Sequence, residues 1–308
     1  MENYKFLYGP VPSRRMGLSL GISPIPKKTC NYSCIYCQLG RTDKMTSERK
    51  DFFNIDDIKK EFKDYNSSNN NYDVVTIVGE GEPTLYKSLG DLIKFLKENT
   101  DKPVALITNG ACLKDSDIWP ELEKLDIILP SLDASNENEF NNINRPHPSI
   151  KYKDVLNGLT NFSKIFKGEL WLEIMFVKNY TDSKETVDRF KNILKKIYYT
   201  RLFINSPVRP PAEDYVEEPD ESFIKYAVEA LNGTPINLLI SEGFSSKEMD
   251  HYKSILTIIK RHPMNQYEIK SFLENRKCNS ISYVFKKLDD SKDVQKINYK
   301  GYYTYRMK

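Results

Sequence analysis

The stretch DVVTIVGEGEPTLYKSLGDLIKFLKENTDKPVALITNG, residues 73–110, contains the pattern that decides the fold of this chain. Two short, apolar, β-branched segments lie at its ends, and a helical pattern runs over Ser88–Glu98 between them. Strands that are apolar on both faces are typical of parallel sheets covered by helices. The stretch therefore predicts one β/α unit of a parallel sheet, with strands at Asp73–Gly79 and Val104–Gly110.

The same alternation of strand and helix continues on both sides of that unit. A first strand is predicted at Leu18–Ser23, and further strands at Asp126–Asp133, Leu170–Val177 and Arg201–Ser206. The remaining helices are predicted at Ile55–Tyr65, Asp115–Lys124, Tyr152–Phe166 and Asp182–Ile197. About six units are too few for a closed eight-fold barrel. We therefore predict an α/β fold, a partial (β/α)6 TIM-like barrel, with ligands at the carboxyl ends of its strands.

The C-terminal part of the chain follows a different pattern. Ser206–Ser222 is rich in proline and acid and predicts a surface loop. Three short helices and a hairpin turning at Lys300–Gly301 are then predicted, at Ser254–Arg261, Gln266–Leu273, Ser280–Leu288 and Gln295–Met307. This order is typical of a winged helix-turn-helix module. We expect a barrel core over residues 1–222, a linker with peripheral elements over 223–245, and a small winged-helix-like domain over 246–308.

Composition and charge restrict the compartment and the partners. The 308 residues include 39% apolar and 29% charged ones, with neither a signal peptide nor a run of about 20 apolar residues. We therefore expect a cytoplasmic protein with no membrane partner. Residues 246–308 carry 14 Lys plus Arg against 7 Asp plus Glu, whereas the whole chain has 46 against 43. This basic tail suggests a polyanionic partner such as RNA.

Aromatic residues are interspersed among the charges of the tail. They are Tyr267, Tyr283, Tyr299, Tyr302, Tyr303 and Tyr305. Such side chains would suit stacking on unpaired bases. They would equally suit packing of the hairpin on the helices.

The segment KKTCNYSCIYCQLGRT, Lys27–Thr42, holds three of the five cysteines in the pattern C-x3-C-x2-C. Such clustering indicates a metal site rather than a disulfide framework. Cys30, Cys34 and Cys37 would hold a [4Fe-4S] cluster and leave one iron open. The alternative is a zinc site with a distant fourth ligand. The histidines, His147, His251 and His262, all lie far from the motif in sequence, which favours the cluster.

This spacing, directly after a first strand, resembles the signature of the radical S-adenosylmethionine (SAM) superfamily. The resemblance implies that the open iron chelates the amino and carboxylate groups of SAM. The reduced cluster then cleaves SAM to methionine and a 5′-deoxyadenosyl radical. The electron would come from an external low-potential donor, ferredoxin or flavodoxin.

Other segments resemble SAM-binding elements of the same superfamily. GEGEPTL (Gly79–Leu85) is similar to its Gly-Gly-Glu-Pro element, which implies contacts to SAM from Gly79, Glu80, Gly81 and Glu82, although Glu80 replaces the usual first glycine. TNG and the segment Ser131–Pro146 follow later strands. The resemblance implies SAM contacts from Asn109, Ser131, Asp133 and Arg145, the last with the carboxylate of SAM. Tyr36 would lie near the adenine or pack in the core.

The opening Tyr8–Thr42 resembles the group of radical SAM proteins related to wyosine-tRNA synthetases. Those enzymes condense pyruvate with methylated guanine in tRNA and use a second iron-sulfur cluster and a pyruvate-binding lysine. This chain departs from them, because only Cys112 and Cys278 remain for a second cluster and no lysine matches the pyruvate site. The resemblance therefore favours the cofactor chemistry over the wyosine reaction.

Four side chains stay without an assigned role at this point. Arg14 and Arg15 could hold a phosphate or carboxylate, and Glu173 interrupts an apolar strand where a carboxylate needs a partner. Cys112 is either an ordinary buried thiol or a reactive one near the active site.

Three functions are compatible with the sequence. The first is SAM-dependent radical chemistry on RNA, and the second is the same chemistry on a protein, peptide or small molecule. The third is an iron-sulfur redox sensor that binds nucleic acid. The SAM-like segments argue against the sensor, because a sensor needs no SAM pocket.

Overall fold

An eight-stranded sheet forms the centre of the fold. The structure is a computed structural model and describes residues 4–68, 71–236, 244, 248 and 250–308. The strands in all sheets of the chain are β1 Leu7–Ser13, β2 Gly17–Ile22, β3 Thr29–Cys30, β4 Lys44–Met45, β5 Val74–Ile77, β6 Val104–Thr108, β7 Ile127–Pro130, β8 Glu169–Met175, β9 Arg201–Asn205, β10 Thr234–Pro235, β11 Met264–Asn265, β12 Val294–Tyr299 and β13 Tyr302–Met307. Its helices are α1 Ile55–Ser68, α2 Leu89–Asn99, α3 Trp119–Leu122, α4 Glu137–Ile143, α5 Tyr152–Ile165, α6 Lys184–Leu194, α7 Glu221–Leu231, α8 His251–Ile259, α9 Gln266–Asn275 and α10 Ile281–Asp289.

The central sheet has the order β1-β2-β5-β6-β7-β8-β9-β10. Every neighbouring pair from β2 to β10 is parallel, and only β1 pairs antiparallel, with β2. The prediction of an α/β fold with a mostly parallel sheet is confirmed. Among the described strands, the order starts at β1 and ends at β10 without a pairing between them, which is consistent with a partial barrel.

The predicted helices of the barrel pack on the sheet through their apolar faces. In α1, for example, Ile58, Phe62 and Tyr65 are buried at helical spacing in the main core. The predicted helix at Asp115–Lys124 is shorter, because the chain there forms 3₁₀ turns and only one turn of α-helix, Trp119–Leu122, with a proline in its first turn.

The segment expected as a linker contains regular structure instead. Within its described part, α7 buries Ile224, Ala227 and Leu231 in the main core, and β10 pairs with β9. This packing extends the sheet beyond the six predicted units. Residues 237–243 and 245 of this segment lie outside the described residues.

The C-terminal helices and hairpin occupy the predicted positions. Helices α8, α9 and α10 pack around their own apolar cluster, and the short strand β11 joins the hairpin in a sheet of order β11-β13-β12. The hairpin turns at Lys300 and Gly301, both with φ in the left-handed region (55° and 79°). Tyr8 and Val11 of β1 belong to the same cluster, so this domain packs against the edge of the barrel. Its assignment as a winged helix stays a prediction.

Among the helices that the structure describes, none combines the length and the apolar character needed to cross a bilayer.

Candidate active site

A cavity of about 390 Å³ opens inside the barrel. It is lined by most of the residues that the sequence singled out, namely Cys30, Cys34, Tyr36, Cys37, Gly79, Glu80, Gly81, Glu82, Asn109 and Ser131. These residues come from loops that follow β2, β5, β6 and β7. The cavity therefore lies where ligands of parallel β/α folds bind. Asp133 and Arg145 do not line it.

The cysteine loop (Lys27–Thr42) presents its three thiols to the cavity. Successive turns place them, since the backbone N–H of Cys37 donates to the Cys34 carbonyl (3.1 Å) and that of Gly40 to the Cys37 carbonyl (3.0 Å). Burial raises the pKa of all three thiols. In the described part of the chain, no three His, Cys, Asp or Glu side chains converge on a single ion. A cubane is bound differently, because each thiolate ligates its own iron, so this set of soft donors fits such a cluster.

The glycine loop (Gly79–Glu82) lies directly against the cysteine loop. The Lys28 N–H donates to the Glu80 carbonyl (2.5 Å), and the Glu82 N–H donates to the Thr29 carbonyl (3.1 Å). A Cβ atom on Gly81 would lie 1.7 Å from the Thr29 carbonyl oxygen. Glycine is therefore required at position 81 because two backbones meet there.

Glu82 ties neighbouring strand ends together. Its buried carboxylate accepts hydrogen bonds from the Thr84 hydroxyl (2.5 Å), the Thr108 hydroxyl (2.6 Å) and the Asn109 backbone N–H (2.7 Å). Burial raises the pKa of this carboxyl group, and these donors oppose the shift. The carboxylate thus fixes the loop after β5 to the loop after β6.

Two asparagine side chains approach the thiols. The Asn109 amide donates to Asn31 Oδ1 (2.7 Å) and lies 3.7 Å from Cys30 Sγ, and the Asn144 amide lies 3.5 Å from Cys34 Sγ. Hydrogen bonds to sulfur ligands tune metal centres. The sequence predicted a role for Asn109 but not for Asn31 or Asn144. Asn31 lies within the cysteine loop, and Asn144 lies within Ser131–Pro146.

Asp133 holds Tyr36 rather than lining the cavity. The Tyr36 hydroxyl donates to its carboxylate, as do the Asn144 amide (3.1 Å) and the Met175 backbone N–H (3.1 Å). Burial raises the pKa of Asp133 from 3.8 to about 6, although the Tyr36 and Asn144 hydrogen bonds lower it. Asp133 therefore fixes the position of Tyr36 in the cavity wall.

The pKa of Asp133 predicts a pH dependence of stability. Because the folded carboxyl binds its proton more tightly than the unfolded one, the free energy of unfolding should fall as the pH rises from about 4 to about 6. Asp133→Asn removes this titration and should flatten the profile over that interval. Urea unfolding at a series of pH values measures both proteins. Parallel profiles of the two would contradict the prediction.

Arg145, predicted to contact the carboxylate of SAM, has two protein partners in the structure. Its guanidinium donates to Glu213 Oε1 (2.5 Å) and to the Tyr215 hydroxyl (2.6 Å). Arg41 also pairs with Glu213, at 2.6 Å. Arg145 is thus engaged outside the cavity, by a carboxylate that sequence reasoning did not connect to it.

Glu80 faces the C-terminal domain. Its carboxylate lies 3.3 Å from Arg261 Nε and 3.9 Å from Lys260 Nζ, and both side chains of the Glu80–Arg261 pair are at least 95% buried. Arg261 also donates to the Lys5 carbonyl (2.6 Å) and lies over the Tyr8 ring. Glu80, which stands in place of the usual first glycine, therefore links the glycine loop to the C-terminal domain.

The other two cysteines lie outside the cavity lining. Cys112 is buried in the main core, where burial raises its pKa to about 12, and it does not line the cavity. Cys278 packs against the cluster of the C-terminal domain. The geometry favours the ordinary buried thiol over the reactive one for Cys112.

Comparison with known proteins places this site in a family. The radical SAM superfamily matches residues 25–190, which include the cysteine loop and the glycine loop. A UPF0026 protein of Methanocaldococcus jannaschii is 33% identical over 304 residues, covering 96% of this chain and 93% of that protein. A protein of Brachyspira hyodysenteriae named GTPase Obg is 42% identical over 205 residues, covering 67% of this chain. The match spans only 30% of the Brachyspira protein's length.

A solved structure shares the fold. The structure of TYW1 with a lysine-pyruvate adduct bound has a TM-score of 0.50 and 17% identity, and covers 71% of this chain and 74% of that one. At this identity the likeness extends to the fold alone. The family match, the near full-length relative and the cavity agree, and the chain belongs to the radical SAM superfamily.

Proposed function

We propose that this protein is a radical SAM enzyme that binds a [4Fe-4S] cluster through Cys30, Cys34 and Cys37. The bound cluster would supply the electron that cleaves SAM into methionine and a 5′-deoxyadenosyl radical. One observation carries the proposal: the three thiols, the glycine loop and Asn109 line the same cavity. Membership of a superfamily that implies an iron-sulfur cluster and SAM supports it.

The residues of the chain would bind and orient the cofactors. Gly81 lets the glycine loop approach the cysteine loop, so that its backbone can contact a ligand beside the thiols. Asn109 and Asn144 direct amide groups at two of the sulfurs. Tyr36, held by Asp133, would present its ring to the ligand.

A cysteine comparison tests this function. Anaerobically reconstituted protein, given SAM and dithionite, should form 5′-deoxyadenosine, and Cys34→Ala should lose that product. Cys278→Ala is the matched control, because this thiol packs in the C-terminal domain and should leave the product unchanged. Undiminished product from Cys34→Ala would contradict the assignment. A lack of product from wild-type protein that carries a full cluster would leave two explanations, a sensor or an enzyme that cleaves SAM only with its substrate bound.

RNA is the substrate class that we propose. The support is the net positive charge of residues 246–308 together with exposed tyrosines there, Tyr267 at 63% and Tyr283 at 66%. Lysine and arginine would contact phosphates, and exposed rings would stack on unpaired bases. Ferredoxin or flavodoxin is the proposed electron donor.

A comparison of two tyrosines of similar exposure, Tyr283 and Tyr198, tests whether the C-terminal domain binds RNA. Tyr283→Ala should weaken binding of single-stranded RNA by about tenfold, because stacking on one base contributes about 1–3 kcal/mol. Tyr198→Ala is the control, since Tyr198 is 70% exposed but lies on the barrel. Fluorescence anisotropy at several salt concentrations measures both. Equal affinities of the two variants would place RNA elsewhere and favour a protein, peptide or small-molecule substrate.

A further inference from the structure

Two arginines of the turn between β1 and β2 reach the same cavity as the cysteines. Arg14 and Arg15 both line it, and both are only partly exposed. Their Nε atoms are buried and have no hydrogen-bond partner among the residues that the structure describes. Arg15 still donates through Nη1 to Glu173, whereas Arg14 has no ion-pair partner in that part of the chain.

A third arginine approaches them from the loop after β9. Arg209 lines the cavity, donates to the Pro263 carbonyl (3.1 Å) and lies 3.8 Å from Glu268 Oε1. Burial lowers its pKa, and the positive charges of Arg14 and Arg15 lower it further. The three guanidinium groups thus belong to side chains that line the same cavity. We call Arg14, Arg15 and Arg209 the arginine cluster.

The buried side of the cluster includes an imidazole. His262 lines the cavity, and its Nδ1 atom is buried with no hydrogen-bond partner in the described residues. Burial lowers the pKa of His262 far below its ordinary value, and Arg209 and Arg14 lower it further. A neutral ring beside the guanidiniums leaves one more polar group available to a ligand.

The carboxylates of the cavity do not neutralise this cluster. Among the described residues, five cationic side chains line the cavity against three carboxylates. Glu80 faces Arg261, Glu173 faces Arg15, and Glu82 is surrounded by neutral donors. Arg209 has only Glu268, at 3.8 Å, and Arg14 has no ion-pair partner among the described residues, so this end of the cavity keeps a positive surplus. Buried charge is costly without a partner, so a ligand of opposite charge would be strongly favoured.

We propose that the arginine cluster, with His262, is the binding site for a phosphate group of the substrate. Guanidinium groups pair with phosphate oxygens through paired, charge-assisted hydrogen bonds. A phosphate can accept such bonds from several guanidiniums at once, and its charge matches the surplus at Arg14 and Arg209. The site shares its cavity with the thiols, so a substrate held by its phosphate would lie in the cavity that the proposed cofactors would occupy. This inference rests on the proposed function only for the reaction that follows binding.

Inorganic phosphate is the probe for the experiment. It is titrated into anaerobic holoenzyme at constant ionic strength, with chloride as the reference salt, and both calorimetry and the melting temperature are recorded. Wild type should bind phosphate and melt at a higher temperature in its presence. Arg14→Gln should weaken the affinity by about tenfold or more, because a charge-assisted partner is lost. It should also melt higher than wild type without phosphate, because it removes an unpaired charge.

Arg201→Gln is the matched control. Arg201 is 57% exposed, stacks on Trp171 and does not line the cavity, so its loss should leave phosphate binding unchanged. Equal effects of Arg14→Gln and Arg201→Gln, or a wild type that responds to phosphate no more than to chloride, would overturn the proposal.

SAM affinity separates this proposal from the proposed function. Arg14→Gln should keep the wild-type dissociation constant for SAM while it loses phosphate binding. Loss of SAM affinity with phosphate binding intact would assign the arginines to SAM and overturn the phosphate site. Competition then identifies the source of the phosphate: displacement by a nucleoside monophosphate indicates a small phosphorylated substrate, and displacement by an RNA oligonucleotide indicates a polynucleotide.

Discussion

Gly81→Ala should separate the two loops that form the cavity and weaken SAM binding. The added Cβ atom would lie 1.7 Å from the Thr29 carbonyl oxygen, which is backbone and cannot rotate away. The glycine loop must therefore move, and both hydrogen bonds that join it to the cysteine loop would be strained. We expect a loss of SAM affinity of at least about tenfold and a destabilisation of about 1–3 kcal/mol, as for other overpacked sites.

Gly301→Ala is the control for the cost of replacing a glycine. Gly301 lies in the hairpin turn with φ 79°, and an added Cβ atom would meet nothing within 4 Å. That variant should therefore lose only the stability due to backbone strain, about 1 kcal/mol, and keep its SAM affinity. Calorimetric titrations measure the SAM affinity of both variants. Wild-type SAM affinity in Gly81→Ala would contradict the described contact between the loops.

Arg261→Met should destabilise the protein by about 3–5 kcal/mol, because it leaves the buried Glu80 carboxylate without its main counter-charge. The Arg261 and Glu80 side chains are 3% and 5% exposed, so water cannot solvate the carboxylate that is left without its partner. The substitution also removes the hydrogen bond to the Lys5 carbonyl and the contact with the Tyr8 ring. Urea unfolding at neutral pH measures the effect.

A double substitution distinguishes the charge pair from general packing. Arg261→Met combined with Glu80→Gln should recover part of the lost stability, since no unpaired buried charge remains. Lys225→Met is the surface control: the side chains of Lys225 and its partner Glu221 are 70% and 79% exposed, and the loss should cost less than about 1 kcal/mol. Strictly additive effects of the two substitutions would show that Glu80 and Arg261 do not interact.

Local patterns were sufficient to predict the repeating part of the fold. The β-branched strands and the amphipathic helices between them depend on residues close in sequence, and their order placed the cysteine loop and the glycine loop at one edge of the sheet. Strand β1 escaped prediction because its sequence, LYGPVPS, contains a glycine and two prolines, which normally interrupt strands. The prolines are tolerated because β1 lies at the edge of the sheet.

Long-range partners could not be predicted in the same way. Arg145 was expected at the SAM carboxylate, but its partner Glu213 is 68 residues away, in a segment predicted only as a loop. Glu80 lines the cavity as expected, and the part that the sequence did not predict is its counter-charge, Arg261 of the C-terminal domain. Glu173 was recognised as a carboxylate in need of a partner, and only the structure shows that Arg15 and Asn205 supply it.

The identity of the metal centre and its ability to bind SAM form the central claim. The most direct measurement combines iron and sulfide analysis of reconstituted protein with electron paramagnetic resonance of the reduced protein, with and without SAM. The account predicts about four irons and four sulfides per chain and a spectrum that changes when SAM is added, because one iron is open to it. A protein that holds one zinc and no iron, or a reduced cluster whose spectrum is indifferent to SAM, would contradict it.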